Sequence, residues 1–167
     1  VVDTTAPVLT GVPEDATYEC LDDVPPMPEV TATDNCDKDV PVLAASSISG
    51  ECPTLIHRTW TAKDDCGNEV TGVQNITVWD KTAPVITSCP DPITVQCIGD
   101  VPQPDASLVK AEDNCDKDVV VTWKGDVSDG QKCPETITRT YEAADDCGNV
   151  AVCTQTIVVN DTIAPEL

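Results

Sequence analysis

The feature that most narrows the fold is an internal repeat. "VVDTTAPVL" opens the chain, "TVWDKTAPVI" returns around Asp80, and "VVNDTIAPEL" closes it around Asp161. A spacing of about 80 residues marks tandem units rather than one large domain. The match continues inside each unit. "TYECLDDVPPMPEVTATDNCDKDV" answers to "TVQCIGDVPQPDASLVKAEDNCDKDV", and "RTWTAKDDCGNEV" answers to "RTYEAADDCGNVA". Residues 1–79 therefore read as repeat one and 80–160 as repeat two. Residues 161–167 read as a linker and the first strand of a following repeat, so the expectation is a slice of a longer array.

Each unit reads as strands. Ile56, Arg58, Trp60 and Ala62 alternate with His57, Thr59 and Thr61, and Ile137, Arg139, Tyr141 and Ala143 alternate with Thr138, Thr140 and Glu142. The last strand sets Val70, Gly72, Gln74, Ile76 and Val78 on one face, answered by Ala151, Cys153, Gln155, Ile157 and Val159. Period-two alternation marks half-buried strands. Prolines at 25, 26 and 28, and at 102 and 104, break the chain between the second and third strands, and no helical period stands out. Short strands separated by turn signals predict an all-β protein of two tandem immunoglobulin-like β-sandwich domains, stabilised by disulfides.

The residues of the linker and turns carry a resemblance. The D-x-T-A-P linker, Cys89-Pro90, the A-x-D-x-C-G-N turn and a cysteine before a V-x-V strand resemble the HYR (hyalin repeat) family, twice and over essentially the whole chain. The resemblance implies an immunoglobulin-like fold and an extracellular adhesive or structural role without catalysis. Unit one departs from the pattern, with Val12-Pro13 where unit two has Cys89-Pro90. The linker is also similar to that of cadherins, in which acidic residues before Ala-Pro bind calcium.

The two repeats test each other's cysteines. Unit one has Cys20, Cys36, Cys52 and Cys66; unit two has their equivalents Cys97, Cys115, Cys133 and Cys147, plus Cys89 and Cys153. Val12 and Gly72 replace the two extras together, which predicts a Cys89–Cys153 bond. Four shared cysteines allow three pairings. Cys52–Cys66 fails on reach, because about 14 extended residues at about 3.3 Å each far exceed the span of a disulfide. Neighbouring antiparallel third and sixth strands of a sandwich favour Cys36–Cys52 with Cys20–Cys66, and Cys115–Cys133 with Cys97–Cys147. Cys36–Cys66 with Cys20–Cys52 stays open. Either pattern compensates the thin core of a small unit. The spacing excludes zinc, since no C-x-x-C occurs.

Charge narrows the partners. Thirty acidic residues against nine basic ones give −21, which argues against nucleic acid and anionic membranes and for cations or water. No stretch approaches a membrane span. In a head-to-tail array whose first and last strands run the same way, "DNCDKD" sits at the far end of a unit and "DDCGN" at the near end. Asp34, Asn35, Asp37 and Asp39 would then meet Asp80, with Asp145, Asp146 and Asn149 opposite, supplying the six to eight oxygens calcium takes. Under the other cysteine pairing both turns share one end of one unit, and an intradomain calcium site is expected instead.

Several residues remain to be placed. Sequons occur at Asn75 and Asn160, with Asn75 on the outward strand face. His57 is the only histidine, and no Ser-His-Asp set or phosphate loop is present, so no enzyme is expected. Asp64-Asp65 mimic a glycosidase pair, but their repetition at a tight turn argues against that role. Arg58 and Arg139 share a face with Trp60 and Tyr141, which suits a cation–π stack or a partly buried ion pair. Two function classes follow. One is a structural or adhesive repeat of a secreted or cell-surface fibre, stalk or adhesin, whose partners are neighbouring copies of itself. The other is a carbohydrate- or protein-binding module, with the unmatched Trp79 and Trp123 as platforms for glycans.

Overall fold

A computed structural model describes residues 2–166. Two compact units, Val1–Asp80 and Lys81–Leu167, divide the chain. Unit one contains β1 (Val8–Thr10), β2 (Ala16–Tyr18), β3 (Thr31–Thr33), β4 (Val42–Ser49), β5 (Thr54–Lys63) and β6 (Glu69–Val78). Unit two repeats them as β7 (Val85–Ser88), β8 (Ile93–Val95), β9 (Lys110–Glu112), β10 (Val120–Ser128), β11 (Glu135–Ala144) and β12 (Val150–Val159). The only helical pieces among the described residues are three short 3-10 turns. Residues 160–166 carry no strand, and Leu167 lies outside the described residues.

The all-β expectation holds. In each unit a two-stranded sheet (β1-β3, or β7-β9) accompanies a four-stranded sheet ordered β2-β6-β5-β4, or β8-β12-β11-β10. The alternation read from the sequence is the alternation observed: Ile56, Arg58, Trp60 and Ala62 are buried while His57 is exposed. Gln74, Ile76 and Val78 are buried along β6, with Asn75 exposed between them. The cores are small. Ile56, Ile76 and Val78 form one, with Tyr18 and Val24 against it. Ile137, Ile157 and Val159 form the other, with Ile93, Val95 and Val101. A buried aliphatic side chain contributes about 1.5–3 kcal/mol, so covalent bonds have to supplement a core this thin.

Proline-rich segments explain the buried arginines and glutamines. These segments cross the sandwich with few N–H donors of their own but with carbonyls that need partners. Arg58 donates to the Pro25 carbonyl at 2.7 Å, Trp60 to Pro28 at 3.3 Å and Gln74 to the Glu14 carbonyl at 2.7 Å. Arg139 repeats the bond at Pro102 (2.9 Å), and Gln155 repeats the Gln74 bond at Asp91 (2.8 Å). Of the two roles expected for the arginines, unit two shows the ion pair: Arg139 Nη2 lies 2.7 Å from Asp126 Oδ2.

The cysteine pattern differs from the favoured expectation. Cys89 is bonded to Cys153. Cys20, Cys52, Cys115 and Cys147 are also disulfide-bonded, while Cys36, Cys66, Cys97 and Cys133 are thiols. Cys36–Cys52, Cys20–Cys66, Cys115–Cys133 and Cys97–Cys147 are therefore all absent, since each would join a bonded cysteine to a thiol. The cause is topological. The short β2 pairs parallel to β6, which aligns Tyr18 with Val78, and Val78 aligns across the sheet with Thr54. Cys20 and Cys52 thus lie just beyond one row of strand partners. At the opposite end Val42, which opens β4, pairs with Ala62 near the close of β5. That pairing gathers the Cys36 and Cys66 turns.

Candidate cation site

Two turns build the site in unit one. In the first, Asp34 Oδ1 accepts from the backbone N–H groups of Cys36 (2.9 Å) and Asp37 (3.2 Å), an Asx turn. This commits one carboxylate oxygen. The other, Asp34 Oδ2, is buried and has no hydrogen-bond partner. In the second turn Asn68 clamps Asp64, with its N–H 2.8 Å from Oδ1 and its side-chain amide 2.7 Å from Oδ2. Gly67, at φ +94°, allows the chain to double back there. The turns touch: the Asp65 N–H donates to Asp37 Oδ2 at 3.2 Å.

The linker supplies the third carboxylate. Asn68 also donates to the Asp3 carbonyl at 3.2 Å, and the Thr5 N–H donates to Asp3 Oδ1 at 3.0 Å. Asp3, Asp34 and Asp64 then present oxygens that all lie within 4.8 Å of one another. The pocket between them has a volume of about 110 Å³ and is lined by Asp3, Cys36, Asp37, Asp64, Asp65 and Cys66. Asp64 is 7% exposed.

Crowded carboxylates normally raise one another's pKa. Here hydrogen bonds win. The amide of Asn68 holds Asp64 below the usual carboxylate range, against the opposing effect of burial. The Thr5 N–H does the same for Asp3, helped by the Cys36 thiol. Both groups are therefore ionised at neutral pH, and the pocket concentrates negative charge on hard oxygen donors. That donor set suits calcium, which takes six to eight oxygens with water completing the shell.

Unit two rebuilds the same turns. Asp113 Oδ1 accepts from Cys115 and Asp116, both at 2.9 Å, and the Asp146 N–H donates to Asp116 Oδ2 at 3.2 Å. Asn149 clamps Asp145 at 2.8 and 2.7 Å.

This corrects the junction drawn from the sequence. Asp34 and Asp37 face the Asp64-Asp65 turn of their own unit, and Asp145 and Asp146 face the Asp113–Asp116 turn of theirs. Asn35 turns its amide to Cys36 Sγ at 3.1 Å, and Asp39 is exposed. Asn149 positions a carboxylate. Asp80 is buried and ends unit one. Asp3 and Asp64 belong to the site but were not among the expected ligands. The signal for Asp3 was its equivalence to Asp80, and the signal for Asp64 was its equivalence to Asp145.

The other singled-out residues lie elsewhere. Trp79 and Trp123 are about half exposed, and Trp123 Nε1 donates to Asp126 Oδ1 at 3.0 Å. His57 Nδ1 is 2.9 Å from Asn75 Oδ1. Among the described residues no helix is long and apolar enough to cross a membrane.

Two sandwich units carrying the same paired turns define a tandem β-repeat protein. The chain belongs to the family of HYR-like domains with four cysteines, whose model matches residues 8–78 and again 85–159. Each matched stretch holds one set of the four shared cysteines. Comparison with curated proteins returned no match.

Proposed function

We propose that the chain is a structural repeat of an extracellular fibre, stalk or adhesin, without catalytic activity, and that calcium bound inside each unit stiffens it. The reading rests on the convergence of Asp3, Asp34 and Asp64 around the buried, unpartnered Asp34 Oδ2. An ion there ties the leading linker to both turns, so the direction in which the chain enters the unit becomes fixed. Family membership, the disulfides and the charge of −21 fit an extracellular setting in which calcium is abundant. Neighbouring copies in series are the proposed partners.

Calorimetric titration tests the cation. Calcium added to the chelator-treated chain gives binding heat and a higher melting temperature. Asp64→Asn removes the unit-one contribution and Asp145→Asn the unit-two contribution. No heat and no melting shift overturns the proposal. For the array, electron microscopy of native material shows beaded filaments if the reading is right and compact monomers if it is wrong.

A second reading, sugar binding, draws on a groove of about 310 Å³ in unit two beside Trp123, Gln103 and Asp126. By strand register unit one has Ala44 and Ser46 at the positions of Trp123 and Asp126, so the groove distinguishes the repeats. Glycan-array binding that is lost in Trp123→Ala would favour it.

A further inference from the structure

The two units hold complementary halves of one bonding pattern. Unit one has Cys20 and Cys52 bonded and leaves Cys36 and Cys66 as thiols. Unit two does the reverse: Cys115 and Cys147, the equivalents of the thiols, are bonded, and Cys97 and Cys133 are thiols. Taken within each unit, the bonded cysteines pair as Cys20–Cys52 and Cys115–Cys147. We propose that Cys36–Cys66 and Cys97–Cys133 are disulfide pairs as well, so that both units carry the same two bonds and Cys89–Cys153 is the extra one of unit two.

Local geometry carries the inference at both ends. The turns that hold Cys36 and Cys66 are joined by the Asp65 N–H to Asp37 carboxylate bond at 3.2 Å. The same bond, Asp146 to Asp116 at 3.2 Å, joins the turns in which Cys115 and Cys147 are bonded. The contact that brings one pair together is thus present, unchanged, around the other. Cys36 and Cys66 also line one pocket.

At the other end the strand rows match. In unit one Tyr18, Val78 and Thr54 stand side by side, two residues before Cys20 and two after Cys52. In unit two Val95, Val159 and Glu135 stand in the same row, two residues before Cys97 and two after Cys133. Cys133 Sγ lies 3.5 Å from Asn160 Oδ1, and the Asn160 N–H donates to the Val95 carbonyl at 2.9 Å. Cys133 is therefore already held against the strand end from which Cys97 emerges.

The chemistry is exchange with a small-molecule disulfide such as glutathione disulfide. One cysteine thiolate attacks it and expels one glutathione thiolate, leaving a mixed disulfide. The second cysteine thiolate attacks the protein sulfur and expels the other. Two protein thiols lose two electrons and two protons, and one glutathione disulfide becomes two thiols.

Mass spectrometry of the intact chain tests the proposal. The folded chain is incubated with glutathione disulfide, labelled with a maleimide and digested without reductant. Labelled cysteines fall from four to none, and cross-linked peptides join Cys36 to Cys66 and Cys97 to Cys133. Thiols that still label in the oxidised folded chain overturn the proposal, as do peptides joining Cys36 to Cys52 or Cys97 to Cys147. The double variant Cys97→Ser/Cys133→Ser isolates the other pair, so that Cys36–Cys66 is the only link oxidation adds to those already present.

Discussion

A Cβ placed on Gly72 would lie 2.7 Å from Cγ2 of Val12, and these two residues occupy the positions that unit two fills with the bonded Cys153 and Cys89. The first and last strands approach so closely that unit one accommodates a valine only by giving up the side chain opposite. Gly72→Ala alone therefore overpacks the contact and lowers stability by about 1–3 kcal/mol. Val12→Cys with Gly72→Cys relieves the collision and forms the missing bond, since the Cα atoms of Cys89 and Cys153 are 6.2 Å apart, an unstrained span. The double variant gains about 2–4 kcal/mol in chemical denaturation. Failure of the two thiols to oxidise would contradict the equivalence.

Arg58 and Arg139 offer a second comparison. Arg139 Nε and Nη2 donate to Asp126 at 2.9 and 2.7 Å, whereas Arg58 Nε is buried without a partner. Strand register puts Ser46 opposite Arg58, where Asp126 stands opposite Arg139. Ser46→Asp supplies the missing acceptor and raises unit-one stability by about 1–2 kcal/mol. Asp126→Asn removes it from unit two at a cost of about 2 kcal/mol. The Arg139 bonds depress the Asp126 pKa. The stability they give is full above the unfolded value and is lost as pH falls through the lowered folded one. Melting curves across that acid range should drop less steeply in Asp126→Asn than in the parent chain.

Much of the fold was legible because β5 and β6 are long and alternate strictly, so Ile56, Trp60 and Ile76 announce which side is buried. The cysteine pairing was not. It depends on β2, three residues long, pairing parallel to β6, and a strand that short has no periodicity to read. The same misreading separated the acidic turns and sent Asp34 looking for Asp145 rather than Asp64. The turn chemistry itself was visible: Asp34 and Asp64 are Asx-type turn residues, and only their meeting required the register of β4 against β5. Asn68 was invisible as a positioning residue, since its role depends on reaching both Asp64 and the Asp3 carbonyl.

Asn75 and Asn160 separate by accessibility. Asn75 is exposed on the outer face of β6, and its backbone N–H donates to Asp15 Oδ1 at 2.7 Å. Its side-chain amide sits at a weak 3.4 Å from either Asp15 oxygen, so a glycan displaces little. Asn160 is half-buried beside Cys133. Expression in a glycosylating host should add an enzyme-removable glycan at Asn75 alone. Asn75→Gln removes it and shifts stability by less than about 0.5 kcal/mol. An unmodified Asn75, or a modified Asn160, would contradict this.

The hydrogen bonds that hold Asp3 and Asp64 ionised also set how calcium binding responds to acid. Protons compete for the same oxygens, and a carboxylate with a lowered pKa yields to them only below the ordinary carboxylate range of about 4. The contributions of Asp3 and Asp64 to calcium affinity in unit one should therefore hold from neutral pH down through mild acid and be lost only as pH drops through the lowered values. Asn68→Ala removes the amide that contributes most to the Asp64 shift, along with the bond to the Asp3 carbonyl. Its affinity should be lower at neutral pH and should begin to fall at a higher pH than in the parent chain. Titrations at a series of pH values, made in the Asp145→Asn background so that unit two is silent, read both effects. Identical pH profiles for the two chains would mean that Asn68 does not hold the carboxylate for the ion.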